Sequence, residues 1–255
     1  LHSRLSVKNE IDEIGSLAGD FNQLLERLEN YFERQKRFMA DASHELRTPL
    51  AIVLGESEVA LAKEDRPNEE LRESLAIVID ESRRLTKIVE DLFMLSRADS
   101  GQYKTNFKQV YLDEILTDCV RNMRVLAEKR QISINLATVE TELSGDEQLL
   151  RRLFLNLLDN AVKYNRAGGN ITINLSDKTV TISDTGTGIA PEEQTKIFER
   201  FYRTDKSRNR VEDSNTSGAG LGLSIAKRIA ELHQAELELV KSDEHGSTFS
   251  VRFSK

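Results

Sequence analysis

Residues 38–56 read FMADASHELRTPLAIVLGE. The apolar positions have helical spacing, yet the stretch also carries a histidine, an acid beside it, a threonine one turn on and then a proline. Successive residues of an α-helix are about 100° apart. His44 stands two residues from both Ala42 and Leu46, about 200° around the helix from each, so it points away from the apolar side into solvent. Pro49 has no N–H for the preceding turn and its ring crowds that turn, which predicts a bend just beyond His44.

Upstream, Ile14, Leu17, Phe21, Leu24, Leu28, Tyr31, Phe38 and Ala42 keep an alternating spacing of three and four, with Gln35 as the polar break. That is the a/d seam of a coiled coil. Downstream, Leu71, Leu75, Val78, Ser82, Leu85, Val89 and Leu92 repeat the rhythm. The polar stretch KEDRPNEE, residues 63–70, lies between them and predicts a connection. Two long helices with a short loop make an antiparallel hairpin. One hairpin cannot bury both stripes, so the expectation is an all-α hairpin that forms a dimeric four-helix bundle, and hence a homodimer.

After SRADSGQYKTN, residues 96–106, the pattern changes. QISINLAT, NITINLS, TVTISD, AELELV and STFSVRF are β-branched or alternating, as strands should be. DEQLLRRLFLNLLDNAVKYN has helical periodicity with Asp146 as candidate N-cap, and another helix follows the glycines at GAGLGLSIAKRIAELH. This part is expected to be an α+β two-layer sandwich of about 150 residues, an ordinary domain size.

The chain has 255 residues, 31% charged and 38% hydrophobic, with a net charge of −7. An acidic balance weighs against general nucleic-acid binding, and no nucleic-acid partner is expected. The single cysteine, Cys119, excludes an internal disulfide framework and fits a reducing compartment. No run approaches the roughly 20 apolar residues of a membrane span, and no signal-peptide pattern is present. The first residue is Leu1 rather than Met, so the chain is read as a fragment.

SDTGTGIAPEE puts an acid at a strand end, then two glycines, then a helix expected to start near Pro191. TSGAGLGLSIAK is a second glycine cluster, opening a helix whose bare N–H groups favour phosphate. A tight turn is the simpler reading of either cluster alone; two in one domain favour a ligand. Neither matches a P-loop, and glycines at 218, 220 and 222 are not a dinucleotide fingerprint. Asn156, Asn160 and Lys163 share one helix face. Amide oxygens suit Mg²⁺ and a lysine suits phosphate, while a solvated polar stripe would look the same.

Together these stretches resemble the sensor histidine kinases of two-component signalling. ASHELRTPL resembles the family's phosphoacceptor box, NLLDNAVKY its asparagine box, DTGTGI and GAGLGL its glycine boxes, and IFERFYRTD its phenylalanine box, in the family's order. DEIGSLAGDFNQLLERL resembles the second helix of a HAMP relay module. The resemblance implies three domains: 1–30 as the C-terminal part of a HAMP-like relay helix, 31–100 as the dimerisation and histidine-phosphotransfer hairpin, and 101–255 as the catalytic ATP-binding domain.

It also implies roles. His44 would be the phosphoacceptor, Glu45 would take the imidazole proton, and Thr48 would place the water that hydrolyses a partner's phospho-aspartate. The cofactors implied are ATP and Mg²⁺, with Asn160 as the metal ligand and Asn156 beside it. Lys163 would contact phosphate, and Tyr164 would lie over the base or sugar. Asp184 would accept from the adenine amino group, with Gly186 and Gly188 making room for the base. Gly218, Gly220 and Gly222 would let backbone amides approach the phosphates, with Leu221 and Leu223 completing the ATP-binding set. Arg203 would meet γ-phosphate charge. Phe198 and Phe201 would anchor a lid, TDKSRNRVEDSNTS, that orders with nucleotide. The partner would be a response regulator receiver domain, docking on the face that Ala51, Gly55 and Glu58 continue from His44 and Thr48. The location implied is the cytoplasmic portion of an inner-membrane sensor, with any membrane contact made by a segment outside this chain. HQAELEL departs from the family's usual Gly-rich turn. Two other readings are a degenerate scaffold or phosphatase and a gyrase- or heat-shock-type ATPase. Intact His44, Glu45 and Asn160 oppose the first; the absence of a role for the histidine box opposes the second.

Overall fold

The computed structural model describes residues 13–62, 67–204 and 218–254. The start of the HAMP-like stretch, residues 63–66 of the connection and residues 205–217 of the lid lie outside the described residues. The chain divides into two compact units between Leu85 and Thr86.

The first unit holds helix α1, Glu13–Leu61, and the first turns of α2, Asn68–Asp99. Pro67 opens α2, its carbonyl accepting from the Leu71 N–H at 3.2 Å. Pro49 is buried inside α1, and the α-helix is continuous through it. Ala42 is buried on the side away from His44, which is exposed. Much of the apolar seam is uncovered in the single chain: Leu17, Phe21, Leu24, Leu28 and Tyr31 are exposed on α1, and Leu75 and Val89 on α2. No helix among the described residues is long and apolar enough to cross a membrane.

The second unit holds the end of α2 and an α/β layer. Its elements are β1 (Lys108–Tyr111), α3 (Leu112–Lys129), β2 (Ser133–Ala137), β3 (Glu142–Gly145), α4 (Glu147–Lys163), β4 (Asn170–Ser176), β5 (Thr179–Asp184), α5 (Gly222–Leu232), β6 (Ala235–Asp243) and β7 (Gly246–Phe253). Five strands form a mixed sheet in the order β2-β4-β5-β7-β6, with β2 parallel to β4 and the other pairs antiparallel. Strands β1 and β3 make a separate antiparallel pair. Alternation along β4 and β5 buries Ile171, Ile173, Leu175, Val180 and Ile182 against the helices. All five strands read from the sequence are present.

Helix α3 has no counterpart in the sequence reading. Leu112, Ile115, Leu116, Cys119, Val120, Met123 and Ala127 form its buried stripe at helical spacing. The helix expected near Pro191 is instead a run of tight turns, with three-residue hydrogen bonds from Glu193 to Ala190, Lys196 to Glu193 and Glu199 to Lys196. Such short rings follow the 3₁₀ pattern and do not extend into an α-helix here.

The last turns of α2 are tied to this unit by arginines. Arg152 pairs with the buried Asp91, whose carboxyl burial raises above the ordinary value against the pull of that arginine. Arg200 donates from Nη2 to both oxygens of Asp99 at 2.8 and 2.6 Å. Arg228 donates to the Ala98 carbonyl.

Asp146 caps α4, accepting from the Leu149 N–H at 3.2 Å. Its own N–H donates to Nε2 of His233 at 3.0 Å, and His233 Nδ1 donates to the Ile229 carbonyl at 2.8 Å. Phe107 stacks on the buried imidazole, ring centres 4.9 Å apart. One neutral tautomer satisfies both bonds, and a second proton would evict the Asp146 N–H. His233 thus joins the end of α5 to the start of α4. Burial holds its pKa below the ordinary histidine value. The unfolded chain therefore binds more protons, so this contribution is complete above about pH 6.5 and is lost as pH falls toward the lowered native pKa. His233→Ala is expected to cost on the order of 1–3 kcal/mol at pH 7.5. In urea unfolding, that difference should shrink as pH falls from 7 to 5.

Candidate functional site

Helix α4 supplies both core and site. Its apolar face, from Leu149 to Val162, is buried; the opposite face presents Asn156, Asn160 and Lys163, all partly exposed. Its C-terminal end is held by Arg130, whose guanidinium donates to the carbonyls of Lys163 at 3.1 Å and Val162 at 3.4 Å. A cation at a helix C-terminus also complements the helix dipole.

Both glycine clusters meet this helix. A Cβ at Gly186 would lie 2.4 Å from the Tyr164 carbonyl oxygen, which also accepts from the Thr187 N–H at 3.1 Å. Gly188 has φ +64°, and a Cβ there would fall 1.7 Å from the Asp243 carbonyl oxygen. From the second cluster, a Cβ at Gly218 would lie 3.1 Å from Lys163 Nζ, and one at Gly222 3.8 Å from Asn156 Oδ1. Gly220 has φ +73°, and its carbonyl accepts from the Phe201 N–H at 3.0 Å. Lys163 Nζ also sits 5.5 Å from the centre of the Tyr164 ring.

Three places here keep hydrogen-bonding capacity open among the described residues. Asn156 Nδ2 is buried without a hydrogen-bond partner among the described residues. Helix α5 starts at Gly222 with Leu221 as a cap residue whose side chain makes no capping bond. At the end of β5, Asp184 Oδ1 accepts from the N–H groups of Gly186 at 2.8 Å and Ser247 at 3.4 Å, leaving Oδ2 as an open acceptor among the described residues. A polyanion with a hydrogen-bonding base matches these groups: bare N–H groups and a lysine for phosphate, amide oxygens for a hard cation, and a carboxylate for an amino group.

The remaining expected residues are placed as follows. Leu221 is buried in the core, so what it can offer a ligand is backbone; Leu223 packs partly buried on the same core. Phe198 meets Phe249 edge-to-face at 6.3 Å, with Lys227 Nζ 5.2 Å from its ring centre. Phe201 has φ +60° and is pinned to Gly220; Arg203 follows, partly buried. On α1, His44 and Thr48 are exposed and Glu45 is half-buried, with the Thr48 hydroxyl donating to the His44 carbonyl at 3.4 Å. Ala51 and Glu58 are exposed, and nothing lies within 4 Å of a Cβ built on Gly55. Arg130, Asn165, Thr185 and Gly246 were not among the expected residues. Only Gly246, in HGSTFSV, carried a local signal; its Cβ would fall 1.9 Å from the Asp184 carbonyl oxygen.

Residues 145–255 match the family of histidine kinase-, DNA gyrase B- and HSP90-like ATPases. That match alone leaves three kinds of protein open. Residues 34–101 match the His Kinase A phosphoacceptor domain, which includes His44, Glu45 and Thr48. The chain belongs to the histidine kinases. It is 33% identical over 255 residues to the signal transduction histidine-protein kinase ArlS of Staphylococcus aureus, covering 98% of this chain and 56% of the relative. The chain thus spans little more than half the length of the curated relatives it matches. The Acinetobacter baumannii histidine kinase AdeS shares the fold, with a TM-score of 0.67 at 23% identity over 83% of this chain and 97% of that one. Full-length ShkA in complex with AMPPNP gives a TM-score of 0.61 at 27% identity, over 84% of this chain and 45% of that one. Arg130 lies between the two matched spans although it caps the helix that carries Asn160.

Burial raises the Asp184 carboxyl above the ordinary carboxylate value, against the lowering effect of its two backbone bonds. The native state then binds more protons than the unfolded chain, so this group's contribution to stability falls as pH rises through the window between the two values. Asp184→Asn is therefore expected to melt no lower than the wild type at pH 7, with any gain vanishing in acid. A clear loss of Tm at pH 7 would count against desolvation as the dominant effect.

Proposed function

We propose that this chain phosphorylates its own His44 from ATP and passes the phosphoryl group to an aspartate of a response regulator receiver domain. The observation that carries the reading is an exposed histidine with Glu45 beside it, in one chain with open groups around α4 and the two glycine loops that suit a nucleoside triphosphate. A ring nitrogen of His44 attacks the γ-phosphorus, the bond to the bridging oxygen breaks, and ADP leaves with the electron pair. Glu45 takes the proton of the other ring nitrogen and returns it when the aspartate oxygen displaces the imidazole. Thr48 places a water that hydrolyses the regulator's phospho-aspartate, releasing inorganic phosphate.

At this site, Asp184 Oδ2 takes the adenine amino group and Tyr164 covers the base or sugar. Lys163 and the amides of residues 218–223 hold phosphate, and Arg203 meets γ-phosphate charge. Asn160, with Asn156 beside it, would hold Mg²⁺, which when bound neutralises charge on the phosphates. The AMPPNP bound to ShkA supports a nucleoside triphosphate as the ligand. The exposed seam on α1 and α2 supports a homodimer in which two hairpins share one core. ATP as donor and a free, buried Cys119 fit a cytoplasmic location.

Incubation with γ-labelled ATP and Mg²⁺ is expected to label the protein with a group lost in acid and kept in alkali. His44→Gln and Asn160→Ala should each abolish the label, with folding checked by circular dichroism. ATP hydrolysis without protein label would favour an ATPase instead. The receiver domain is expected on the face of Ala51, Gly55 and Glu58, where the open space at Gly55 admits close approach. Glu58→Lys should change transfer rates to a panel of regulators by tenfold or more, about 1.4 kcal/mol, while leaving His44 labelling intact. Equal rates throughout would place the docking face elsewhere.

A further inference from the structure

Asn165 follows the last residues of α4 and is only 8% exposed, although it lies in a loop. A buried amide in a loop needs partners. Its Oδ1 accepts from the Arg166 N–H at 2.9 Å and from the Thr185 hydroxyl at 3.2 Å, and its Nδ2 donates to the Asn170 carbonyl at 3.2 Å. The loop closes tightly around this amide, since a Cβ at Gly169 would fall 2.2 Å from Oδ1. Three bonds made by one side chain therefore join the exit of α4 to the start of β4 and the end of β5.

The β5 end matters because Thr185 directly follows Asp184. The sheet does not need Asn165 to hold that end. The Thr185 N–H donates to the Asn170 carbonyl at 3.1 Å, and the Asn170 N–H donates to the Thr185 hydroxyl at 2.9 Å. What Asn165 adds is the lateral tie from this strand end to Tyr164, parallel to the bond from Thr187 to the Tyr164 carbonyl. Asp184 Oδ1 is already committed to Gly186 and Ser247, so the direction of the open Oδ2 follows from where the strand end sits against the helix end.

We infer that Asn165 is a positioning residue for base selectivity. It fixes the wall carrying Asp184 against the wall carrying Tyr164, and so sets the preference for a purine with a 6-amino group. The inference rests on the adenine reading of Asp184 above. A residue that acts only on stability would weaken every nucleotide alike; a residue that aims Oδ2 acts on the amino group alone.

The test is equilibrium binding of Mg²⁺–ATP and of Mg²⁺–purine riboside triphosphate, which lacks the 6-amino group, to the full chain. A hydrogen bond to a carboxylate is worth about a tenfold preference for ATP. The wild type is expected to show it. Asn165→Ala should reduce the preference to about two- or threefold, mainly by weakening ATP. In the labelling reaction, KM for ATP should rise while kcat at saturating ATP stays within about twofold. Thr185→Val removes the other end of the tie, and the double variant should lose no more selectivity than Thr185→Val alone. That second series decides the matter should Asn165→Ala fail to fold. Equal weakening of both nucleotides in Asn165→Ala, or additive loss of selectivity in the double variant, overturns the inference. A wild type with no preference overturns the adenine reading itself, and the inference with it.

Discussion

The carbonyl of Tyr164 stands 2.4 Å from where any side chain at position 186 would have to begin. The close approach of helix end to strand end organises the second unit. It brings the polar face of α4 beside Asp184, and only glycine permits it. The same kind of constraint recurs at Gly188 against Asp243 and at Gly246 against Asp184 itself. Three glycines therefore set how far β5, β6 and β7 can close on one another around one carboxylate. The bonds that pull the pieces together are modest, and steric exclusion of every other residue does more of the specifying.

α4 links that geometry to the core. Eight of its side chains are buried, so its axis is held by apolar packing on the sheet and on α3 and α5. Both ends are fixed by groups from elsewhere: Asp146 with His233 at the start, Arg130 at the finish. A helix held along its length and at both ends presents Asn156, Asn160 and Lys163 with little freedom. That is what a phosphate and metal site requires of its scaffold.

The sequence exposes some of this and hides the rest for physical reasons. Strand alternation, the Asp146 cap and both glycine clusters are local signals, readable within a few residues. So is the seam of α1, and the outward direction of His44 follows from two steps of helix rotation. Helix α3 is equally periodic, and its stripe from Leu112 to Ala127 is a local signal of the same kind. The segment after Pro191 is the opposite case, because a proline marks a helix start only where the chain goes on to make four-residue bonds. Asn165, Arg130 and His233 could not be read locally at all. Each has a partner 20, 33 or 87 residues away in sequence that decides its burial, and an asparagine, an arginine and a histidine in polar surroundings look the same whether solvated or buried.

Open groups of the second unit occur in more than one place among the described residues: Arg228 Nε makes no hydrogen bond beside the end of α2, and α3 starts without a side-chain cap, but three lie around α4. Asn156 Nδ2, the uncapped start of α5 and Asp184 Oδ2 all belong to the surroundings of the same helix and glycine loops. Buried Asn156 Nδ2 costs stability in the free protein, and burial of Asp184 acts directly against its ionised form. A chain selected for stability alone would satisfy them with side chains, as it has done at Asp146 and at Asn165. The three around α4 are intelligible if a ligand supplies the missing partners, so that binding recovers what folding left open. By that reasoning the site is marked less by the bonds it contains than by the bonds it leaves open.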